Sequence, residues 1–350
     1  IKMIKKVIYI IAGTIITLFA LFLGVSAILE HKPAPQEEAI HYPALKPLAE
    51  NNIPDSLKIM TWNIGYAGLG ENMTFFMDGG KDVRDSRERT LENLHHIIET
   101  IRTENPDIVL LQEVDINSKR TYHINQAQIL QQEFPHYHIY FAPNLKSWFI
   151  PTPIKEPIGE THSGVAIMTR HKADSAIRHQ YPSKFPWPVS MFNLKRCLLT
   201  AHFTLPGGRE LLVGNTHCSA FDDGSMRKQE TEFLYTLLKS RNGSSFIIGG
   251  DWNQYPEGYT PSDKELNDKN FVVQPLPSDS LKKIGRFIYD PSLHTARYND
   301  KPYHPEHSTR TLIDYFFHSD DITAQEVRTL DLEFRHSDHH PVVTTVSLQK

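Results

Sequence analysis

The segment Phe246-Ile247-Ile248-Gly249-Gly250-Asp251-Trp252-Asn253 leaves this chain little freedom. An apolar run of this length bounded by polar residues reads as a buried strand. It ends abruptly in a carboxylate and a carboxamide. Asp251 and Asn253 are two positions apart, so on extended backbone both point to the same side. The two glycines before them permit close approach of another backbone or a ligand. An acid and an amide at a strand's C-terminal end are suited to gripping a hydrated cation and a phosphate. A strand followed by an Asx turn carries the same letters, so the segment needs the rest of the chain to be read.

The rest of the chain repeats the pattern. Leu57 to Ile64 alternates like a strand and delivers Asn63 at its end. A glycine-rich loop follows, then Asp85 or Ser86 caps a helix with Leu91, Leu94, Ile98 and Ile101 on one face. Asp107 to Glu113 is a second buried strand ending in an acid. Further on, Glu210 to His217 reads as a strand. A helix follows with Met226, Phe233, Leu234, Leu237 and Leu238 inward, and then the Phe246–Asn253 strand. Each half runs strand, helix, apolar strand, terminal carboxylate. Packed face to face, two such halves form an α/β sandwich with Glu113 and Asp251 at one rim.

The flanks bound the setting. Lys2, Lys5 and Lys6 precede Val7 to Leu29, a run of 23 residues without a charge. That is long enough for one transmembrane helix, and lysines ahead of it orient the chain with residues beyond Glu30 outside the cytoplasm. Val25-Ser26-Ala27 also offers a signal-peptide cleavage site, which would make the protein secreted. Residues 30–56, with five prolines, read as a semi-rigid linker, and residues 57–350 as the folded body. The formal net charge is -4, and the first 29 residues carry three lysines and no acid, which leaves -7 for the rest. An acidic body argues against a broad grip on polyanions, although a local basic groove would suffice to cleave one.

Smaller signals fill in the body. Ser163 to Thr169 reads as a further strand, and Gln254 to Pro305 as long surface loops of the kind that wall a substrate site. His162 lies before that strand. Arg84, Arg87 and Arg89 read as a solvated helix start, and His340 as a surface neighbour. Arg196 to Leu205 and Glu210 to His217 flank Pro206-Gly207-Gly208-Arg209, a hairpin turn signal. If Leu205 faces Glu210, Cys197 faces Cys218. Such a pair can be a cross-strand disulfide or two reduced, buried thiols.

Six elements occur in order: Thr61-Trp62-Asn63, Gln112-Glu113, Asn215-Thr216-His217, Gly250-Asp251-Trp252-Asn253, Ile313-Asp314 and Ser337-Asp338-His339. Over residues 57–349 the chain resembles the endonuclease/exonuclease/phosphatase superfamily, the metal-dependent phosphoesterases similar to deoxyribonuclease I. The resemblance implies a four-layer sandwich of two packed mixed β-sheets flanked by helices. It implies hydrolysis of a phosphoester, with Mg²⁺ or Mn²⁺ held by Glu113, with Asn63 and Asp338 close by. It implies that Asp251 and Asn253 align the attacking water and hold the phosphate. His339 matches the family's essential histidine, Asp314 its orienting carboxylate, and His217 a residue that protonates the leaving oxygen in some members. Either His339 or Asp251 serves as the base on this reading. Trp252 and Cys218 stand where smaller apolar residue and leucine are commoner. The resemblance leaves the substrate open among a nucleic acid, a phospholipid or sphingolipid head group and a small-molecule phosphoester. A binding protein that kept the fold and lost turnover is the further alternative. The membrane is engaged through the N-terminal helix, and no obligate protein partner is implied.

Overall fold

The computed structural model describes residues 2–49, 52–220, 222–241, 243–268 and 273–348. Two seven-stranded mixed sheets form its centre. In one, Ser56–Asn63 and Ile108–Asp115 are parallel neighbours. Gly159–Thr169 and then His138–Ile150 lie on one side, Val342–Leu348 and then Ile322–Thr329 on the other, each antiparallel to the strand it pairs with. In the other, Glu210–His217 and Ser245–Asp251 form the parallel pair, flanked by Cys197–Thr204 and Asp314–His318. The two strand–helix–strand units expected from sequence therefore lie one in each sheet.

Alternation along each strand explains the layers. Ile59, Leu110, Val213 and Ile247 point between the sheets into one core. Met60, Val109 and Leu111 point outward against the Arg87–Glu104 and Gln126–Glu133 helices. Leu212, Phe246 and Ile248 point outward against the Ser225–Lys239 helix. A period of two with both faces covered yields the near-continuous apolar runs seen in the sequence. Fold and layers are those the resemblance implied.

The Arg87–Glu104 helix begins at Ser86, whose side chain accepts a hydrogen bond from the Arg89 N–H at 3.1 Å. In the Ser225–Lys239 helix, Leu234 and Leu238 are buried as expected, but so are Arg227 and Glu230. Residues 30–56 depart from the tether reading. Gln36–Glu38 pairs with Ile177–His179 at the edge of one sheet, and Ile40–Tyr42 with Ile139–Phe141 at the edge of the other. The segment steps from sheet to sheet and covers both edges. Within the expected loop segment, residues 269–272 lie outside the described residues.

The Lys2–Leu29 helix is long and apolar enough to cross a membrane. Its residues 2–21 are all exposed, and only its last turns meet the body. Phe22 stacks on Phe192 with ring centroids 5.5 Å apart, Ser26 is buried, and Glu30 pairs with Lys195 at 2.7 Å.

The Cys197–Thr204 hairpin corrects a register. Leu205 N–H donates to Arg209 O at 2.8 Å, so the loop holds three residues, and Leu198 faces Thr216. A slip of one residue turns a side chain to the opposite face. Cys197 accordingly packs between the sheets while Cys218 packs against the helix side, and both are free thiols.

Candidate active site

Inter-sheet positions change character along the parallel strands. Apolar Ile59, Leu110, Val213 and Ile247 give way to Thr61, Gln112, Asn215 and Gly249. There the sheets are clasped by hydrogen bonds. Gln112 Nε2 donates to Asn215 Oδ1 at 2.7 Å, and Asn215 Nδ2 donates to the carbonyls of Leu111 and Ala166, each at 2.8 Å. One step further come Asn63, His217 and Asp251, at the C-terminal ends of their strands. Pairing sets their neighbours: Asp251 stands opposite His217 on one side and Asp314 on the other. Gly250 is required by this packing, because a Cβ there would lie 2.0 Å from the Thr216 carbonyl oxygen.

Glu113 reaches the same rim by an irregularity. The ladder between Ile108–Asp115 and its antiparallel neighbour slips between Leu111 and Val114. Glu113 takes φ +57 inside this bulge. A β-bulge re-aims a side chain, and a left-handed non-glycine residue costs roughly 1–2 kcal/mol. Asn253 likewise sits at φ +51 directly after its strand. Its backbone N–H donates to Asp251 Oδ1 at 2.9 Å and its Nδ2 to Cys218 O at 2.9 Å.

His339 and Asp338 arrive on the turn before the last strand. Trp62 Nε1 donates to His339 O at 2.8 Å, and Ser337 Oγ to Asn63 O at 2.8 Å, which fastens the turn to the first strand. His339 Nδ1 then meets Asp314 Oδ2 at 2.8 Å, and its Nε2 lies 3.8 Å from Asp251 Oδ2. His217 Nε2 lies 3.4 Å from the same Asp251 oxygen and 4.0 Å from Glu113 Oε1. Asn63 Nδ2 donates to Asp251 Oδ2 at 3.0 Å and to Glu113 Oε1 at 3.4 Å. Asp338 Oδ2 accepts from Asn299 Nδ2 at 2.6 Å. All eight residues singled out in the sequence line one cleft of about 410 Å³ except Asp314, which lies behind His339.

Electrostatics separate the two histidines. Burial alone would lower the His339 pKa, but Asp314, Asp251 and Asp338 hold it well above the usual range, so it is an imidazolium. Burial, Arg196 and His339 drive His217 well below its usual value, so it is neutral. Burial pushes Asp251 up to about 6, with Asp314 adding and the His339 charge opposing. Burial also raises Glu113; Arg120 opposes this and Asp338 adds to it.

The donor set suits a hard divalent cation. Asp338 raises the cost of ionising Glu113, which a cation between them would relieve. Asn63 and Asp338 both adjoin Gly65: Asn63 Oδ1 accepts from its N–H at 3.0 Å, and a Cβ there would lie 2.7 Å from Asp338 Oδ1. As oriented, Asn63 braces the acids with its Nδ2, and ligation through its oxygen requires the amide to turn over. Asp251, Asp314 and His339 also lie within ligand reach of one another. However, the Asp314–His339 hydrogen bond already occupies that group.

Other expectations resolve simply. Arg84 pairs with Glu156 at 2.7 Å and Arg89 with Glu92 at 3.1 Å, in the solvated manner anticipated. His340 is buried against Phe334, ring centroids 3.7 Å apart, and is no surface residue. Trp252 stacks on Tyr315 at 5.1 Å and sits in the outer core. Arg196, Asn299 and Arg297 line the cleft without having been singled out. Asn299 and Arg297 fall in the long segment with no periodicity to mark them.

The profile of the Endonuclease/Exonuclease/phosphatase family matches residues 60–339. Among solved structures, the chain is similar to an endonuclease/exonuclease/phosphatase from Beutenbergia cavernae DSM 12333. Identity there is 21%, TM-score 0.58, covering 84% of this chain and 72% of that one. An endonuclease/exonuclease/phosphatase from Bacteroides vulgatus is 16% identical with TM-score 0.56, covering 84% and 99% respectively. The human Nocturnin catalytic domain, solved with a bound sulfate anion, is 19% identical with TM-score 0.53, covering 85% and 96%. No curated protein sequence matches the chain.

Proposed function

Since this chain belongs to the endonuclease/exonuclease/phosphatase family, we propose that it is a divalent-metal-dependent phosphodiesterase anchored to a membrane by its N-terminal helix. The observation that carries the chemistry is the buried Asp314–His339–Asp251 line, at 2.8 and 3.8 Å, facing Glu113 and Asn63 across one cleft. A cation bound by Glu113, with Asp338 and Asn63 adjoining, would supply Lewis-acid polarisation of a phosphoryl oxygen, and Mg²⁺ suits the oxygen donors best.

The protein's own groups account for the remaining steps. Asp314 fixes the orientation of the His339 ring and keeps it charged, so Nε2–H donates to a phosphate oxygen instead of accepting a proton. Asp251, titrating at about 6, is then the base that takes a proton from water as its oxygen attacks phosphorus. Asn253 holds Asp251 Oδ1 through its backbone N–H. The bond from phosphorus to the leaving oxygen breaks in line with the attack. His217, being neutral, serves as a hydrogen-bond donor beside that oxygen and not as a strong acid.

The packing of Phe22 and Ser26 on the body supports a retained anchor, because cleavage after Ala27 would discard that face. The lysines before the helix support a body outside the cytoplasm. A membrane-impermeant amine reagent applied to sealed cells should label the body, and labelling only after lysis would reverse the topology. Hydrolysis of bis(4-nitrophenyl) phosphate should vanish with chelator and return with Mg²⁺. Unchanged turnover in chelator would refute the metal-dependent reading.

A further inference from the structure

Outside the reacting groups, the cleft is walled by Phe75, Phe76, Ile150, Ile158, Val189 and Phe192. Arg120, Arg196 and Arg297 line the same cleft and suit an anion, but these apolar walls do not serve one, since phosphates are gripped by cations and dipoles. The loops that supply Thr152 and Val189 to the cleft also carry exposed apolar side chains: Ile154 is 92% exposed and Trp187 66%. Exposed apolar surface of this extent marks an interaction site.

The N-terminal helix meets the body at this mouth. Phe22 stacks on the cleft residue Phe192 at 5.5 Å, and its ring lies 5.9 Å from Trp148 and 6.3 Å from Phe149. Residues 2–21 stand clear of the body. With Lys2, Lys5 and Lys6 at the far interface, the charge-free Val7 to Leu21 span about 22 Å at 1.5 Å per residue, so a hydrocarbon core about 30 Å thick extends into the turns around Phe22. The core therefore ends within the turns that meet the body, and Trp148 and Phe192, which contact Phe22 there, fall at the membrane boundary. Lys146, Lys155 and Lys184 are exposed beside Trp148, Ile154 and Trp187. Tryptophan interleaved with lysine is the composition of an interfacial surface, where rings sit at head-group level and cations meet anionic lipid.

We propose that the cleft opens onto the bilayer that holds the helix and that its substrate is a lipid phosphodiester, the acyl chains lying along the Ile150–Ile158–Val189 wall. This rests on the phosphodiesterase reading above. Water adds to phosphorus, the phosphorus–oxygen bond to head group or lipid breaks, and the released alkoxide takes up a proton. Single-stranded nucleic acid could also stack on aromatic side chains. Aliphatic walls and a mouth pressed against the membrane favour the lipid.

The full chain, reconstituted in unilamellar vesicles of phosphatidylethanolamine, phosphatidylglycerol and sphingomyelin, tests this in two ways. With brominated acyl chains, emission from Trp148 and Trp187 should be quenched, while Trp62 and Trp252, each 1% exposed, should be spared. Loss of quenching in a Trp148→Phe, Trp187→Phe variant assigns the signal. The vesicle lipid should be cleaved faster than plasmid DNA. Trp187→Ser with Ile154→Ser should lower the ratio of vesicle to bis(4-nitrophenyl) phosphate turnover by about tenfold, since each removes a large apolar group from the interface. Unquenched emission, or cleavage of DNA or the soluble diester without cleavage of vesicle lipid, would overturn this inference and leave the phosphodiesterase reading standing. A chain that cleaves none of the three substrates overturns both.

Discussion

Asp251→Asn should make the metal-free protein more stable at neutral pH while removing its activity. Asp251 is 1% exposed and its carboxyl titrates at about 6 instead of 3.8, chiefly through burial. A raised folded-state pKa gives stability that is complete below the unfolded value and is lost as pH rises through the folded one. That elevation costs about 3 kcal/mol at pH 8 and about half as much at pH 5. Asparagine mimics the protonated acid, so the variant escapes this cost. Its Nδ2 cannot accept the hydrogen bond now given by Asn63, and that mismatch costs about 1 kcal/mol at every pH. The variant's advantage should thus grow by roughly 1–2 kcal/mol from pH 5 to pH 8, a widening of about 3 °C in Tm for a body of this size. Thermal unfolding of the detergent-solubilised chain in chelator measures it. Saturating Mg²⁺ should shrink or invert the gap, because a cation favours the ionised acid. A gap independent of pH would refute the burial argument, and a variant as active as wild type would refute the role of Asp251 as base.

Glu113→Gln should abolish turnover and the rise in Tm on adding Mg²⁺; a wild-type rise would show that the cation binds elsewhere. His339→Ala and Asp314→Asn should each lower kcat by orders of magnitude, and the double variant by little more, because groups acting as a unit are non-additive. Cleanly multiplying losses would separate the pair. Asn215→Val should cost roughly 2–4 kcal/mol, since it strips the donors from the Leu111 and Ala166 carbonyls and removes the 2.7 Å acceptor of Gln112; denaturant titration showing less than 1 kcal/mol would mean that water replaces the clasp.

Legibility in the sequence followed periodicity. Strands buried on both faces betray themselves as apolar runs, and a polar residue breaking such a run marks the rim, which is how Asn63, His217 and Asp251 stood out. Helix faces were readable where apolar spacing set them, as with Leu94, Ile98 and Ile101. Arg227 and Glu230 were missed because their burial answers to partners remote in pattern. Arg227 lies 2.6 Å from Asp222 Oδ1 and 2.9 Å from its carbonyl, and Glu230 accepts from Ser183 and Ser219 at 2.6 Å each. The edge strands at Gln36–Glu38 and Ile40–Tyr42 were hidden by prolines and brevity. The cysteine register failed on one residue of loop length, which composition does not encode: a glycine pair closes three- and four-residue turns alike.

Glu113 shows why a position can be legible while its geometry is not. Strand parity alone would turn residue 113 outward, since Leu111 faces the helices. The extra residue of the bulge resets parity, so that Val114 packs outward and Glu113 is freed for the cleft. Nothing in Leu111-Gln112-Glu113-Val114 announces the slip. Beside it Gln112 is held by Asn215 of the opposite sheet and by Thr61 of the neighbouring strand. The backbone takes up the slip one residue later, at φ +57. The clasp that joins the sheets and the strain that aims the acid therefore sit at adjacent residues, and the proposed metal ligand follows directly on an amide held by the opposite sheet.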